Sequence, residues 1–107
     1  MKPDVILEAL VKARELVSAK WIQGDFEDGD GGYCAIGALR AAVPHGFIFP
    51  QAMAYLEFQM KDDFFPNKVA TYNDNPLTTK ADIITLYDKA IIKRKEYLRM
   101  PTDNGRP

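Results

Sequence analysis

The feature that most constrains this fold is the spacing of apolar residues along three separate segments. In each segment they recur at three and four residues, which gives an α-helix one apolar face. The first segment follows Asp4, a suitable helix cap, and runs to about Lys20. Its stripe consists of Ile6, Ala9, Leu10, Ala13, Leu16 and Val17. Because apolar helix faces must be buried against one another, the sequence predicts a mainly α-helical fold.

Three further helices are predicted. An almost wholly apolar helix starts at Tyr33 or Cys34 and stops before Pro44, and its composition places it at the centre of the domain. A third helix covers residues 51–63, with Pro50 in its first turn, after an apolar connector at 47–49.

The fourth helix begins at a capping box formed by Thr79 and Asp82, with Thr78 as the alternative cap, and runs to about Arg99. Its inner face is expected to consist of Ile83, Tyr87, Ala90, Ile91 and Leu98.

Besides the connector at 47–49, two longer segments separate these helices. Residues 24–32 contain four glycines and four acids, so they break any helix. Residues 69–72 are β-prone, and 73–76 (Asn-Asp-Asn-Pro) are typical of a turn. We therefore expect one compact domain over residues 1–100, with about four helices, a Gly/Asp-rich loop and at most one short β element. Residues 101–107 are expected to form a mobile tail.

Charge and cysteine content exclude several functions. The 107 residues carry a formal net charge of -1, so nothing favours a nucleic-acid partner. The single cysteine, Cys34, cannot form an internal disulfide, which fits a reducing compartment. No apolar run is typical of a signal peptide or approaches the ~20 residues of a membrane span. We expect a cytoplasmic protein without a membrane association.

Cys34 is the candidate catalytic residue. It lies at a predicted helix start, where the helix dipole stabilises a thiolate. A small buried side chain is the alternative role, and it is the commoner one for a free cysteine. The only histidine, His45, lies eleven residues further on, about 16 Å along a helix, so support would have to come from Asn73 or Asp74.

No metal or cofactor is predicted. Neither register of the acidic loop, starting at Asp25 or Asp28, places ligands and glycine as an EF-hand requires. One cysteine and one histidine are too few for a zinc site.

Four side chains at loop–helix junctions form what we call the polar seam: Trp21, Gln23, Asn73 and Asp74. If their junctions meet, they form a polar patch at one end of the helices, rimmed by Tyr33 and Tyr72 and including Cys34. Such a patch either binds a ligand or locks the loops together through hydrogen bonds.

Three motifs resemble those of a family of small bacterial and phage proteins of unknown function. They are Trp21-Ile22-Gln23-Gly24, then Tyr33-Cys34-Ala35-Ile36-Gly37-Ala38-Leu39, then Tyr72-Asn73-Asp74-Asn75-Pro76. The similarity extends over about residues 5–95, although this chain has a shorter loop before the second motif and tyrosine where the family often has tryptophan. The resemblance implies a shared architecture and no particular chemistry.

The leading functional hypothesis is a non-enzymatic module that binds or regulates a host or phage protein. The alternatives are a small enzyme that uses Cys34, and a small-ligand binder at the patch formed by Trp21, Gln23, Tyr33, Cys34, Tyr72, Asn73 and Asp74.

Overall fold

Helix formation follows the apolar stripes over most of the chain. The computed structural model describes residues 4–43, 46–60 and 68–99. It contains the helices α1 (Val5–Ala19), α2 (Ala35–Ala42), α3 (Ile48–Glu57), α4 (Lys68–Asp74) and α5 (Lys80–Arg99). The predicted tail at 101–107, together with Pro44 and His45, lies outside the described residues.

The two longest helices, α1 and α5, form the frame. Asp4 caps α1, since its carboxylate accepts a hydrogen bond from Leu7 N at 2.7 Å. The same carboxylate accepts two hydrogen bonds from Arg94, near the end of α5, at 2.6 and 2.9 Å. These bonds from Arg94 lower the pKa of Asp4. The start of α1 therefore lies against the last turns of α5. Helix α2 packs on α1, α3 packs on both frame helices, and α4 packs on α2 and α3.

The core is formed by the inward faces of all five helices. Its fully buried side chains include Leu10, Val17, Leu39, Leu56, Val69, Ile83 and Tyr87. Four of the five residues predicted for the inner face of α5 are buried, whereas the fifth, Leu98, is 46% exposed. Leu98 lies one residue from the end of α5, where little of the frame remains to cover it.

The fold is mainly helical as predicted, but α4 corrects the expectation of about four helices. Residues 69–72 were expected to be β-prone, with a turn at 73–76, yet Asn73 and Asp74 are the last residues of a helix. Val69 and Asn73 lie four residues apart and are both buried, so one face of α4 packs inward. This burial outweighs the β propensity of the segment. The turn follows at residues 75–78.

No strand occurs in the described ranges. The nearest approach is two isolated bridges, which pair Tyr33 with Trp21 and with Glu27. The third helix begins at Ile48, so residues 48 and 49 are helical where a connector was expected, and Pro50 still lies in the first turn. It ends at Glu57, whereas residues 61–63 of the predicted helix lie outside the described residues.

The capping box at the start of α5 is present. Thr79 N donates to the carboxylate of Asp82 at 2.9 Å, and Asp82 N donates to Thr79 Oγ1 at 3.2 Å. The two bonds satisfy N–H groups that the first turn of a helix leaves without partners.

Within the described part of the chain, none of the helices combines the length and the apolar character that crossing a membrane requires.

Candidate functional site

Asn73 is the centre of the polar seam. Its side chain is 1% exposed at the end of α4. Its Oδ1 accepts hydrogen bonds from Trp21 Nε1 at 2.7 Å and from Ala35 N, at the start of α2, at 2.9 Å. Its Nδ2 donates to Ile22 O at 3.2 Å and to Asp74 Oδ1 at 3.0 Å. Two donated and two accepted bonds use the full capacity of the amide, so one side chain joins α4, α2 and the loop after α1.

Gln23 and Asp74 complete the same junction from its exposed side. Gln23 Nε2 donates to the backbone oxygens of Asn73 and Asn75 at 2.9 and 3.0 Å, which satisfies carbonyls at the C-terminus of α4. Asp74 Oδ1 also accepts from Gly24 N at 2.9 Å. The structure thus brings all four seam residues together, and their hydrogen bonds lock the loop onto α4.

The three other residues predicted for the patch have different surroundings. Tyr33 is half-buried, and its backbone pairs with Lys20 and Ile22 on the other side of the loop. Tyr72 lies outside the seam, in a separate cleft with Asp82. Burial is the main cause that raises the pKa of Tyr72, and the negative charge of Asp82 raises it further. The patch therefore lacks one of its expected tyrosines.

Cys34 is the N-cap of α2 and is 6% exposed. Its Sγ accepts a hydrogen bond from Gly37 N at 3.3 Å, so the thiol is used to begin the helix. Beside it, the fully buried Tyr87 of α5 donates to Ala35 O at 2.5 Å. Burial raises the pKa of Tyr87, so this hydroxyl stays protonated and remains a donor.

The Gly/Asp-rich loop packs directly on α2. Cys34 N donates to Phe26 O at 3.1 Å, and a Cβ placed on Gly37 would lie 1.9 Å from that oxygen. Only glycine at position 37 allows this approach. The loop backbone is thereby held against the first turn of α2.

Asp28 is also used within the loop. It pairs with Lys20 at 2.8 Å and accepts hydrogen bonds from the N–H groups of Asp30 and Gly32. The bond from Lys20 is the main cause that lowers the pKa of Asp28 to about 2, and the two N–H groups add to it. In the ranges that the structure describes, no three metal-binding side chains cluster.

Two connected clefts open beside the seam. A small cleft of about 180 Å³ reaches Cys34 and Asn73 and is bordered by Gly24, Asp25, Phe26, Ile36, Ala70 and Asp74. A larger one of about 580 Å³, which we call the groove, is lined by Phe26, Ile36, Arg40, Phe49, Pro50, Met53, Glu57 and Ala70. Phe26, Ile36 and Ala70 border both, so the two form one continuous surface.

The sequence did not predict the groove. The one feature of the sequence that points to the groove is weak: Arg40 is the only charged residue of the otherwise apolar α2. In the structure, the guanidinium carbon of Arg40 lies 4.9 Å from the ring centroid of Phe26 and 5.9 Å from that of Phe49. Both distances are within the range of a cation–π interaction. Phe26 nevertheless remains 50% exposed, so its ring forms an accessible apolar edge.

The fold and the seam define a small helical protein in which one asparagine joins two helices and a loop. Residues 1–93 match a family of unknown function, DUF6197, and the chain belongs to this family. No curated protein and no solved structure matches the chain. That the three sequence motifs are shared across the family, and that the family occurs in bacteria and phages, remain predictions.

Proposed function

We propose that this chain is a non-enzymatic protein-binding module whose binding surface is the groove. The observation that carries the proposal is the set of side chains that line it. Phe26, Phe49, Met53 and Arg40 belong to residue types that are enriched at the centres of protein interfaces. A host or phage protein is the partner class that the resemblance in sequence favours.

The polar seam supports this proposal as a scaffold. Asn73 has no hydrogen-bonding capacity left for a ligand, because its four bonds are all made within the chain. The loop that carries Phe26 is held by the bonds from Gly24 N to Asp74 and from Cys34 N to Phe26 O, and Asn73 anchors α4, which carries Ala70. A rigid wall lowers the entropy cost of binding, so the seam contributes to affinity by holding the walls of the groove in place.

The arrangement of Cys34 favours binding over catalysis. A nucleophilic thiol needs access to substrate and an adjacent base. Cys34 is buried, and its Sγ bond comes from a backbone N–H. We expect iodoacetamide to modify this thiol much more slowly in the native protein than in urea. Equal rates would favour the enzyme hypothesis.

A small ligand is the second candidate, favoured by the small cleft between Asp25, Cys34 and Asp74. Its volume of about 180 Å³ is below the ~300–1,000 Å³ of most small-molecule pockets. The groove is larger, and its lining of Phe26, Phe49 and Met53 beside Arg40 has the composition of a protein-interface centre, which favours a peptide segment.

The test is a selection of displayed random peptides on the wild-type protein. Bound peptides should lose affinity at least tenfold for Ala70→Trp, which fills the junction of the two clefts. Thr71→Trp is the matched control, because Thr71 is an exposed neighbour on α4 that lines neither cleft. Circular dichroism and melting temperature establish that each variant is folded. Selected peptides that bind wild type and Ala70→Trp equally, or a selection that enriches none, would overturn the proposal.

A further inference from the structure

We propose that the groove recognises a peptide segment in which one carboxylate lies among large apolar side chains, and that Arg40 binds this carboxylate. The inference rests on the proposed function and names its partner class. It follows from one cation that lies within cation–π distance of two aromatic rings in the groove.

Both rings lie within cation–π distance of the Arg40 guanidinium, and neither ring offers an oxygen to its N–H groups. A guanidinium beside aromatic rings still carries its N–H donors in a planar fork that matches a carboxylate. Arg40 is exposed. In residues 4–43, 46–60 and 68–99, no carboxylate lies within ion-pair distance of it, and no oxygen accepts a hydrogen bond from it.

The other charges at the clefts limit which carboxylate fits. Glu57 lines the groove without pairing with Arg40, and Asp25 borders the adjoining cleft. A uniformly acidic segment would meet repulsion from both. A segment with one acid, opposite Arg40, and apolar residues beside it is complementary to the rings and to the single cation.

A purely structural role for Arg40 gives different expectations. Its cation–π contacts with Phe26 and Phe49 would then only hold the loop on α2. Removing its charge would lower the melting temperature without changing which peptides bind. The distinguishing readout is therefore peptide selectivity, with stability measured in parallel.

The experiment compares three libraries of 12-residue displayed peptides that are identical except for one central residue: Asp, Asn or Lys. On the wild-type protein, the Asp library should give the enriched binders. Resynthesis of a binder with Asn at the centre should weaken it about tenfold, the range of one hydrogen-bonded charge pair. Arg40→Gln should remove the preference between Asp and Asn, and Arg40→Glu should transfer it to Lys.

Each outcome decides a separate point. Binders that compete for the groove equally well with Asp or Asn at the centre would overturn the role of Arg40 and leave the protein-binding proposal standing. No binders from any library would overturn both. The Asp/Asn comparison uses the wild-type protein alone, so it stays decisive even if the Arg40 variants unfold. Phe47→Ala, an exposed residue outside the groove lining, serves as the control variant.

Discussion

Replacing Asn73 with alanine tests the scaffold directly. The change leaves Ala35 N and Trp21 Nε1 without their acceptor and Ile22 O without its donor. A buried donor without a partner costs about 1–3 kcal/mol. Ala35 N is buried and bears this cost in full, whereas Trp21 is half-buried and water replaces part of its bond. We therefore expect a loss of about 2–4 kcal/mol, a large part of the ~5–15 kcal/mol of a typical domain.

The matched control is Asn75→Ala. Asn75 lies two residues away, is exposed, and its side chain accepts one hydrogen bond from Leu77 N at 2.8 Å. Its loss should cost less than about 1 kcal/mol. Urea unfolding followed by circular dichroism gives both values, and the single tryptophan, Trp21, supplies a fluorescence signal at the seam itself. Equal losses for the two variants, or less than about 1 kcal/mol for Asn73→Ala, would refute the assignment of Asn73 as the hub.

Three further predictions concern the same region. Gly37→Ala should destabilise the protein by more than about 1 kcal/mol, although alanine normally favours a helix, because its Cβ would lie 1.9 Å from the carbonyl oxygen of Phe26. The control Gly46→Ala, which has open space around it, should be neutral or stabilising in the same urea assay. Equal effects of the two variants would contradict the close approach of the loop to α2. Gln23→Ala and Asp74→Ala should be non-additive in a double-mutant cycle by at least about 0.5 kcal/mol, and strict additivity would show that they share no network. The pKa of Asp28 is lowered from its ordinary value of 3.8 to about 2 in the folded protein. The contribution of Asp28 to folding stability is therefore complete above pH ~4 and is lost as the pH falls through about 2. Amide resonances of the loop should titrate with a midpoint of about 2, and this titration should be absent in Asp28→Asn; a midpoint near 4 would contradict the pairing with Lys20.

The longest helices were predictable because their signals are local. Asp4 and the Thr79–Asp82 pair are caps that act within four residues, and the stripes of α1 and α5 repeat over several turns. The start of α2 was predicted within two residues, because Cys34 follows a glycine-rich stretch. Such signals need no knowledge of the rest of the chain.

The short helix α4 was missed because its stabilisation is tertiary. Only two of its seven residues, Val69 and Asn73, are buried, and the bonds of Asn73 go to residues 38 or more positions away in sequence, apart from Asp74. The residues of this segment therefore predicted a β-prone stretch followed by a turn. The contact among the four seam residues could be predicted, because polar side chains at loop–helix junctions need hydrogen-bond partners.

The groove was not predicted because its walls come from distant segments. Phe26 lies in the loop, Arg40 on α2 and Phe49 on α3, and no periodicity in the sequence connects them. The approach of the loop to α2 depends on Gly37, whose role is visible only when both segments are in place. Surface sites of this kind depend on packing more than on local pattern.

The most direct test of the account is NMR mapping of a selected Asp-centred peptide on the ¹⁵N-labelled protein. We predict that the largest amide shift changes lie at Phe26, Ile36, Arg40, Phe49, Met53 and Ala70. Asn73 should keep slow hydrogen exchange, since its segment is the scaffold and stays closed. Shift changes confined to the separate cleft around Phe58 and Tyr97, or opening of the segment at Asn73 on binding, would contradict peptide binding at the groove.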